Sequence, residues 1–477
     1  MDIFGDSILK DPVNPFVQLL WDRGNAFEQE VIEGLNRPFT NLKAYSSEEK
    51  ERLTIEAMKQ GNELIYGGRI RVDDLVGEPD ILRRCDPGYM AGDIKSGAGE
   101  EGASEDSDGK PKKHYAVQLA LYTDILEHLG FSGGRKPFVW DVHGQEVIYD
   151  LDAPQGVRKP NSLWNEYQAI LENARNIVDQ KENTLPAYAG ICKLCHWYTA
   201  CKKSLENSDD LTLIPELGRS KRDALISKIG CRRDLVSADL GAFIEGKKTR
   251  FSGIGPETLL KLQERARLQR EPGARPYLKE PVTLSHFDCE LYFDVETDPM
   301  RDICYLHGFL EHRKGSVTDK YVAFFAENPT EDEEKQAFDD ALAYVRKNSP
   351  CVIYYYSPYE RVIWNKLQVK YPDIVSEEEV QAVFDPSRAI DLYHHVVRPK
   401  TVWPTYDYSI KTLATHLGFS WRDPNPSGAA SIEWYHRWTE SKDYTIRQRI
   451  FEYNEDDCMA MRVLLDGIRK MSHNGIV

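Results

Sequence analysis

The chain has 477 residues, 41% of them hydrophobic and 29% charged, and carries a formal net charge of −16. That length exceeds one ordinary core, so two or three domains are expected, and no run of about eighteen apolar residues is present to cross a membrane. The acidic balance excludes a nonspecific polyanion coat, yet it suits a local basic groove or carboxylates that hold divalent cations.

The N-terminal stretch MDIFGDSILKDPVNPF has no basic start followed by an apolar block, and a cytoplasmic location is expected. Residues 15–35 carry apolar side chains near the 3.6 period and predict a helix. Within it, Gly-x-x-Phe-Glu at 24–28 places an acid, Glu28, with Glu30 as the alternative. Residues 64–76 read as a strand pair. GEPDILRRCDPGYMAGDIKSG then runs from Gly77 to Gly97. Asp93 and Lys95 are two apart, so on a strand they share a face, and Asp80 from the preceding strand can meet them. Facing carboxylates repel unless a cation lies between them, and hard cations prefer oxygen. A Mg²⁺ or Mn²⁺ there would polarise a phosphoryl oxygen while the lysine steadies developing charge. That pattern suits phosphodiester hydrolysis.

Residues 97–113 are rich in Gly, Ser and charge and predict a loop. The following stretch, 114–130, predicts a helix closed by Gly130, with Gln118 and Tyr122 one turn apart on one face. Taken in order, Glu28, Asp80, Asp93 with Lys95, then Gln118 and Tyr122 resemble the RecB-type members of the PD-(D/E)XK nucleases. The resemblance implies metal binding by Glu28, Asp80 and Asp93, a catalytic role for Lys95, and DNA contact or site support by Gln118 and Tyr122.

Nine cysteines in a chain of this length point to reduced thiols or metal ligands rather than a disulfide framework. Cys192, Cys195 and Cys201 have C-x2-C-x5-C spacing, which can bite one metal or a cluster iron. The trio resembles the iron–sulfur variant of RecB-type nucleases, implying a 4Fe–4S cluster. The fourth cysteine of that family, placed before the helix glutamate, is missing, which leaves Cys85, Cys231 or His196 as candidates. Zn²⁺ on the three cysteines and His196 is the alternative.

Residues 206–270 are helix-rich. Lys247, Lys248 and Arg250 precede Phe251-Ser-Gly-Ile-Gly-Pro-Glu, where Gly253 and Gly255 open a helix. Exposed backbone N–H groups and the helix dipole suit phosphate there. This resembles half of a helix-hairpin-helix module, which grips the DNA backbone.

From 289 a new pattern begins. Asp294 and Glu296 alternate on one strand face, Glu360 follows an apolar strand, and Tyr453 stands one helical turn before Asp457. D-x-E, a middle acid and Y-x-x-x-D can hold two cations about 4 Å apart around a phosphate, with the tyrosine orienting water. The set resembles the DnaQ-like exonucleases of RNase H-like fold. That resemblance implies Asp294, Glu296, Glu360 and Asp457 as metal ligands and Tyr453 as the water-positioning group. Glu360 stands where most of these enzymes have aspartate, Asp456 competes with Asp457, and Asp391 is expected to support the site. The aromatics at 354–359 and Trp403 would suit base stacking, with core packing the expected role for most of them.

The expected architecture is α/β throughout: a PD-(D/E)XK domain at 1–205, a helix-hairpin-helix-like segment at 206–275 and an RNase H-like, DnaQ-type domain at 285–477. The expected function is a metal-dependent DNA nuclease with two sites, a 3′–5′ exonuclease and a RecB-type nuclease, in repair, recombination or defence. Single-stranded or end-bearing DNA is the expected partner. No Walker-type loop occurs, so any motor would be a separate helicase. The competing expectations are an inert DNA-binding accessory and an RNA-directed nuclease.

Overall fold

A computed structural model describes residues 2–101, 109–156 and 160–471. The backbone divides into two compact units. One is Gln18–Leu185; the other joins Met1–Val17 to Pro186–Val477. The division falls at 185 rather than 205, so the cysteine segment and the helical middle share a unit with the C-terminal sheet.

The Gln18–Leu185 unit is built on a six-stranded sheet in the order Thr40–Asn41, Leu64–Tyr66, Ile81–Arg84, Tyr89–Ile94, Phe138–Trp140, Glu146–Ile148. The expected pair at 64–76 is three short strands, of which Ile70–Val72 and Leu75–Gly77 pair with each other. Strands Ile81–Arg84 and Tyr89–Ile94 are antiparallel, with Ile81 opposite Gly92. A side chain at Gly92 would meet the Phe138 ring at 2.3 Å, so the sheet needs glycine beside Asp93. Helix Lys113–His128 buries Leu119, Ala120 and Ile125 in the core of this unit, and Gly130 closes it at φ +73°. The expected loop at 97–113 includes residues 102–108, which lie outside the described residues; its flanks, Glu100–Glu101 and Lys110–Pro111, pair as short strands.

In the other unit, five strands run in the order Lys320–Phe325, Ile303–Arg313, Cys289–Asp298, Val352–Tyr355, Ala389–Asp391. The first two junctions are antiparallel and the last two parallel. Cys289–Asp298 is therefore central, and a bulge between Glu296 and Thr297 shifts its register with Ile303–Arg313. A bulge re-aims side chains locally. Helix Tyr444–Arg469 packs against this strand, and its buried Ile450, Tyr453, Asn454, Asp457, Met461 and Leu464 recur at helical period.

The helical middle has its own core of Leu211, Leu225, Leu235, Phe251, Leu259 and Leu262. It is fastened to the sheet portion by polar ties. Gln269 Nε2 donates to Leu213 O and Thr405 O at 2.8 and 2.7 Å, and Arg398 pairs with Glu216.

Candidate active site and metal centre

The central strand delivers Asp294 and Glu296 to one face, and helix Tyr444–Arg469 brings Asp457 down onto them. One oxygen from each of the three lies within 4.8 Å of the others; no other such group of three or more Asp, Glu, His or Cys ligands occurs among the described residues. Glu360, in the first turn of helix Tyr359–Lys370, is buried beside them, and its Oε2 has no hydrogen-bond partner. Burial and then the charges of Glu296, Asp457 and Glu360 push the Asp294 carboxyl well above its usual range. Burial, then the Asp457 charge, raises Glu296. Burial is also the main cause for Glu360, with Asp391, Asp457 and Glu296 adding repulsion. Three converging carboxylates and an orphaned fourth, all oxygen donors, fit a hard divalent cation.

The choice between the two adjacent aspartates is visible in their partners. Asp456 accepts from Arg422 N and Nε at 2.8 and 2.9 Å, away from the cluster. Asp457 instead accepts from Trp421 Nε1 at 2.7 Å and from Lys411 Nζ, 3.0 Å from each carboxylate oxygen. Lys411 Nζ also donates to the Tyr453 hydroxyl at 3.0 Å. Burial, then Asp457, holds that hydroxyl well above its usual pKa, so it stays a neutral phenol. Asp391 accepts from Ser357 N at 3.1 Å and His394 N at 2.9 Å, bracing the turn that leads to Glu360.

Of the expected stacking aromatics, Tyr354, Tyr355 and Trp403 are core residues. Only Tyr359 is open, 46% exposed, with its hydroxyl 2.5 Å from Thr297 Oγ1. Thr297 and Tyr359, each next in sequence to a cluster acid, border a cavity of about 230 Å³ that Lys366 and Lys370 also line.

In the Gln18–Leu185 unit, Asp80 stands just before its strand and Asp93 within the next. Asp80 Oδ2 accepts from Ile94 N at 2.9 Å, and Lys95 Nζ lies 2.9 Å from Asp93 Oδ2. Burial raises both carboxyls, and for Asp80 the charges of Asp93 and Glu28 add to it. Glu28 is buried and Glu30 exposed, which separates the two alternatives. Glu28 Oε1 accepts from Lys43 and from the Tyr66 hydroxyl, the latter at 2.9 Å. The three acids are neighbours but not a preassembled ligand set. Gln118 Oε1 accepts from Lys95 Nζ at 3.3 Å, and its Nε2 donates to the Tyr122 hydroxyl at 2.7 Å. Tyr122 is buried, so its contact is with the site rather than with solvent.

Cys201 is raised by burial and then by Cys195 and Cys192, which places the three thiols in one neighbourhood. No three of Cys192, Cys195, Cys201 and His196 approach within 4.8 Å, whereas zinc ligands lie about 2.0–2.3 Å from their ion. His196 Nε2 is instead 3.0 Å from Asp2 Oδ1. Cys231 caps helix Arg232–Ser237, and Cys85 belongs to the other unit. Among the described residues these groups do not form a complete ligand set for zinc or for a 4Fe–4S cluster. The same segment is tied to the N-terminal residues: Trp197 Nε1 donates to Asp2 Oδ1 at 2.7 Å, and Asp11 N to His196 O at 2.7 Å.

Gly253 takes φ +73° and Gly255 caps helix Pro256–Arg270 with no side-chain cap bond. Lys248 lies on a short strand, Lys247 in the turn before it, and Arg250 pairs with Glu245.

Sequence reasoning missed Lys411, Trp421, Asn454 and Lys43. Asn454 alone carried a signal, as a polar residue three before Asp457 on a buried helix face.

The sequence model of the RNase H superfamily matches residues 291–468. The C-terminal region is RNase H-like, and this match points to a nuclease-type, metal-dependent hydrolase. Comparison with curated proteins and with solved structures gave no match.

Proposed function

We propose that the chain is a Mg²⁺- or Mn²⁺-dependent nuclease of single-stranded or frayed DNA, with a DnaQ-type 3′–5′ exonuclease site at Asp294, Glu296, Glu360 and Asp457. The carrying observation is the convergence of three carboxylates within 4.8 Å beside the orphaned Glu360. When bound, divalent ions polarise the scissile phosphate and ease attack by water. Tyr453, a neutral phenol, orients that water by hydrogen bonding. Lys411 holds the phenol and sits where negative charge develops on phosphate. Tyr359 offers an open ring, fixed by Thr297, for stacking of a terminal base.

A second site of RecB type is proposed in the Gln18–Leu185 unit. Glu28, Asp80 and Asp93 would hold the ion, and Lys95, steadied by Gln118, would face the phosphate. Lys247, Lys248, Arg250 and the turn at Gly253 and Gly255 are proposed to hold the DNA backbone. A separate helicase would supply strands. An iron–sulfur cluster on Cys192, Cys195 and Cys201 is a separate proposal, read out by brown absorbance after anaerobic purification.

The inert-accessory reading draws on one observation: the Lys411 ammonium already neutralises Asp457. The test is digestion of end-labelled single-stranded DNA and RNA with Mn²⁺ by the full chain and by Asp294→Ala and Asp93→Ala. The nuclease reading expects at least one change to abolish a distinct class of product. Retention of DNA with no cleavage by any version supports the accessory, and preferential RNA cleavage reassigns the substrate.

A further inference from the structure

Asp294 is partly exposed on the central strand, and one of its oxygens is already claimed. Asn454 Nδ2 donates to Asp294 Oδ2 at 2.6 Å. Asn454 is fully buried, and its other end, Oδ1, accepts from the Tyr321 hydroxyl at 2.8 Å. An amide has one donating and one accepting end, and the two are nearly isosteric. The Asp294 carboxylate, an acceptor when ionised, selects the donating end, and the Tyr321 hydroxyl satisfies the accepting end that is left. Without that hydroxyl the fully buried Oδ1 loses its donor, and the amide is free to shift toward another partner and away from Asp294.

The sheet is shaped around this arrangement. Gly308 lies opposite Asp294 in the register, and Ala323 opposite Gly308. A side chain at 308 would place Cβ 1.6 Å from Asn454 Oδ1 and 3.0 Å from the Tyr321 hydroxyl. Glycine leaves the space in which the amide crosses from helix Tyr444–Arg469 to the strand. Asn454 is also three residues before Asp457, on the same buried face. It thus registers two ligand carboxylates, one on the helix and one on the strand, against each other. The amide does so without charge, where a lysine or arginine would compete with a divalent ion for Asp294.

We propose that Tyr321 and Asn454 form a positioning relay that holds Asp294 in its metal-binding orientation. The proposal rests on the nuclease reading of the carboxylate cluster. Groups behind metal ligands typically change metal affinity by about 10–100-fold when removed.

The test is Mn²⁺ binding followed by the electron paramagnetic resonance signal of free Mn²⁺, in full-length protein carrying Asp93→Asn to silence the other acids. Asn454→Ala is expected to weaken binding by about 10–100-fold. Tyr321→Phe, which removes one oxygen and keeps the ring, is expected to weaken it in the same direction but by less than Asn454→Ala, through the same link. The double variant should bind no worse than Asn454→Ala, because the hydroxyl acts only through the amide. A supporting role in packing alone would lower the melting temperature and leave Mn²⁺ affinity unchanged; that result for Tyr321→Phe overturns the relay, as does additivity in the double variant. If the parent protein binds no Mn²⁺, or Asp294→Asn leaves its binding untouched, the cluster reading itself falls and the relay with it.

Discussion

Lys411 and Asp457 form a symmetric ion pair, with the ammonium nitrogen 3.0 Å from each carboxylate oxygen. The same nitrogen holds the Tyr453 hydroxyl. If this lysine serves the reaction, Lys411→Met should lower kcat on single-stranded DNA by about 100-fold, the range for a charge-stabilising or proton-handling group. Mn²⁺ affinity should hold or tighten, since a competing cation is gone. Weaker Mn²⁺ binding together with a lower melting temperature would mark the lysine as a scaffold residue instead.

The acid cluster costs stability until it is neutralised. Asp294, Glu296 and Glu360 are raised above their ordinary values by burial and mutual charge. A carboxyl with a raised folded pKa binds its proton more tightly folded than unfolded, so stability falls as pH rises from the unfolded value, about 4, toward the folded one. Metal-free Asp294→Asn should therefore melt a few degrees higher than the parent at pH 8. The gain should shrink as pH falls and vanish at about pH 3, below both values, where both states are protonated. Calorimetry at the two pH values checks this, and an equal gain at both would refute it.

Mn²⁺ should restore what repulsion removes. Its effect on melting temperature should grow from pH 5 to pH 8, because protons and the metal compete for the same raised carboxyls. Asp294→Asn should blunt the response. A metal-induced shift independent of pH would place the ion elsewhere.

Gly308→Ala should be costly out of proportion to one methyl. The new carbon meets the Asn454 oxygen at 1.6 Å, and the fully buried amide has little room to retreat. Overpacking of this kind costs about 1–3 kcal/mol. Chemical denaturation should show the loss, and Mn²⁺ affinity should fall with it.

Tyr359→Ala tests the open ring. Loss of one stacked base is worth about 1–3 kcal/mol, so KM for single strands should rise by about 5–150-fold. The kcat should change less, since the ring does not touch the cluster. A drop in kcat with KM unchanged would assign the ring to positioning Glu360, its neighbour in sequence.

Much of the site was legible in short range. Asp294 and Glu296 share a face because strands alternate, and Tyr453 and Asp457 share one because helices turn every 3.6 residues. The groups that orient them were not legible, because they arrive through packing across the chain. Asn454 meets Asp294 over a separation of 160 residues, Tyr321 meets Asn454 over 133, and Lys411 meets Tyr453 over 42. No local period encodes such pairs. Tyr354 and Trp403 take the core-packing role expected for most of these aromatics: one on a sheet strand or beneath a helix is drawn inside. The early strand pair was misjudged because three-residue strands are too short to show alternation.

The Gln18–Leu185 unit interrupts the chain of the other unit. During synthesis, Asp2 and Asp11 must wait for His196 and Trp197 to leave the ribosome before their bonds can close. A fragment starting at 186 would leave the Trp197 indole N–H without its carboxylate. Dissection of the two units is therefore better served by excising 18–185 and rejoining the flanks than by cutting the polypeptide in two.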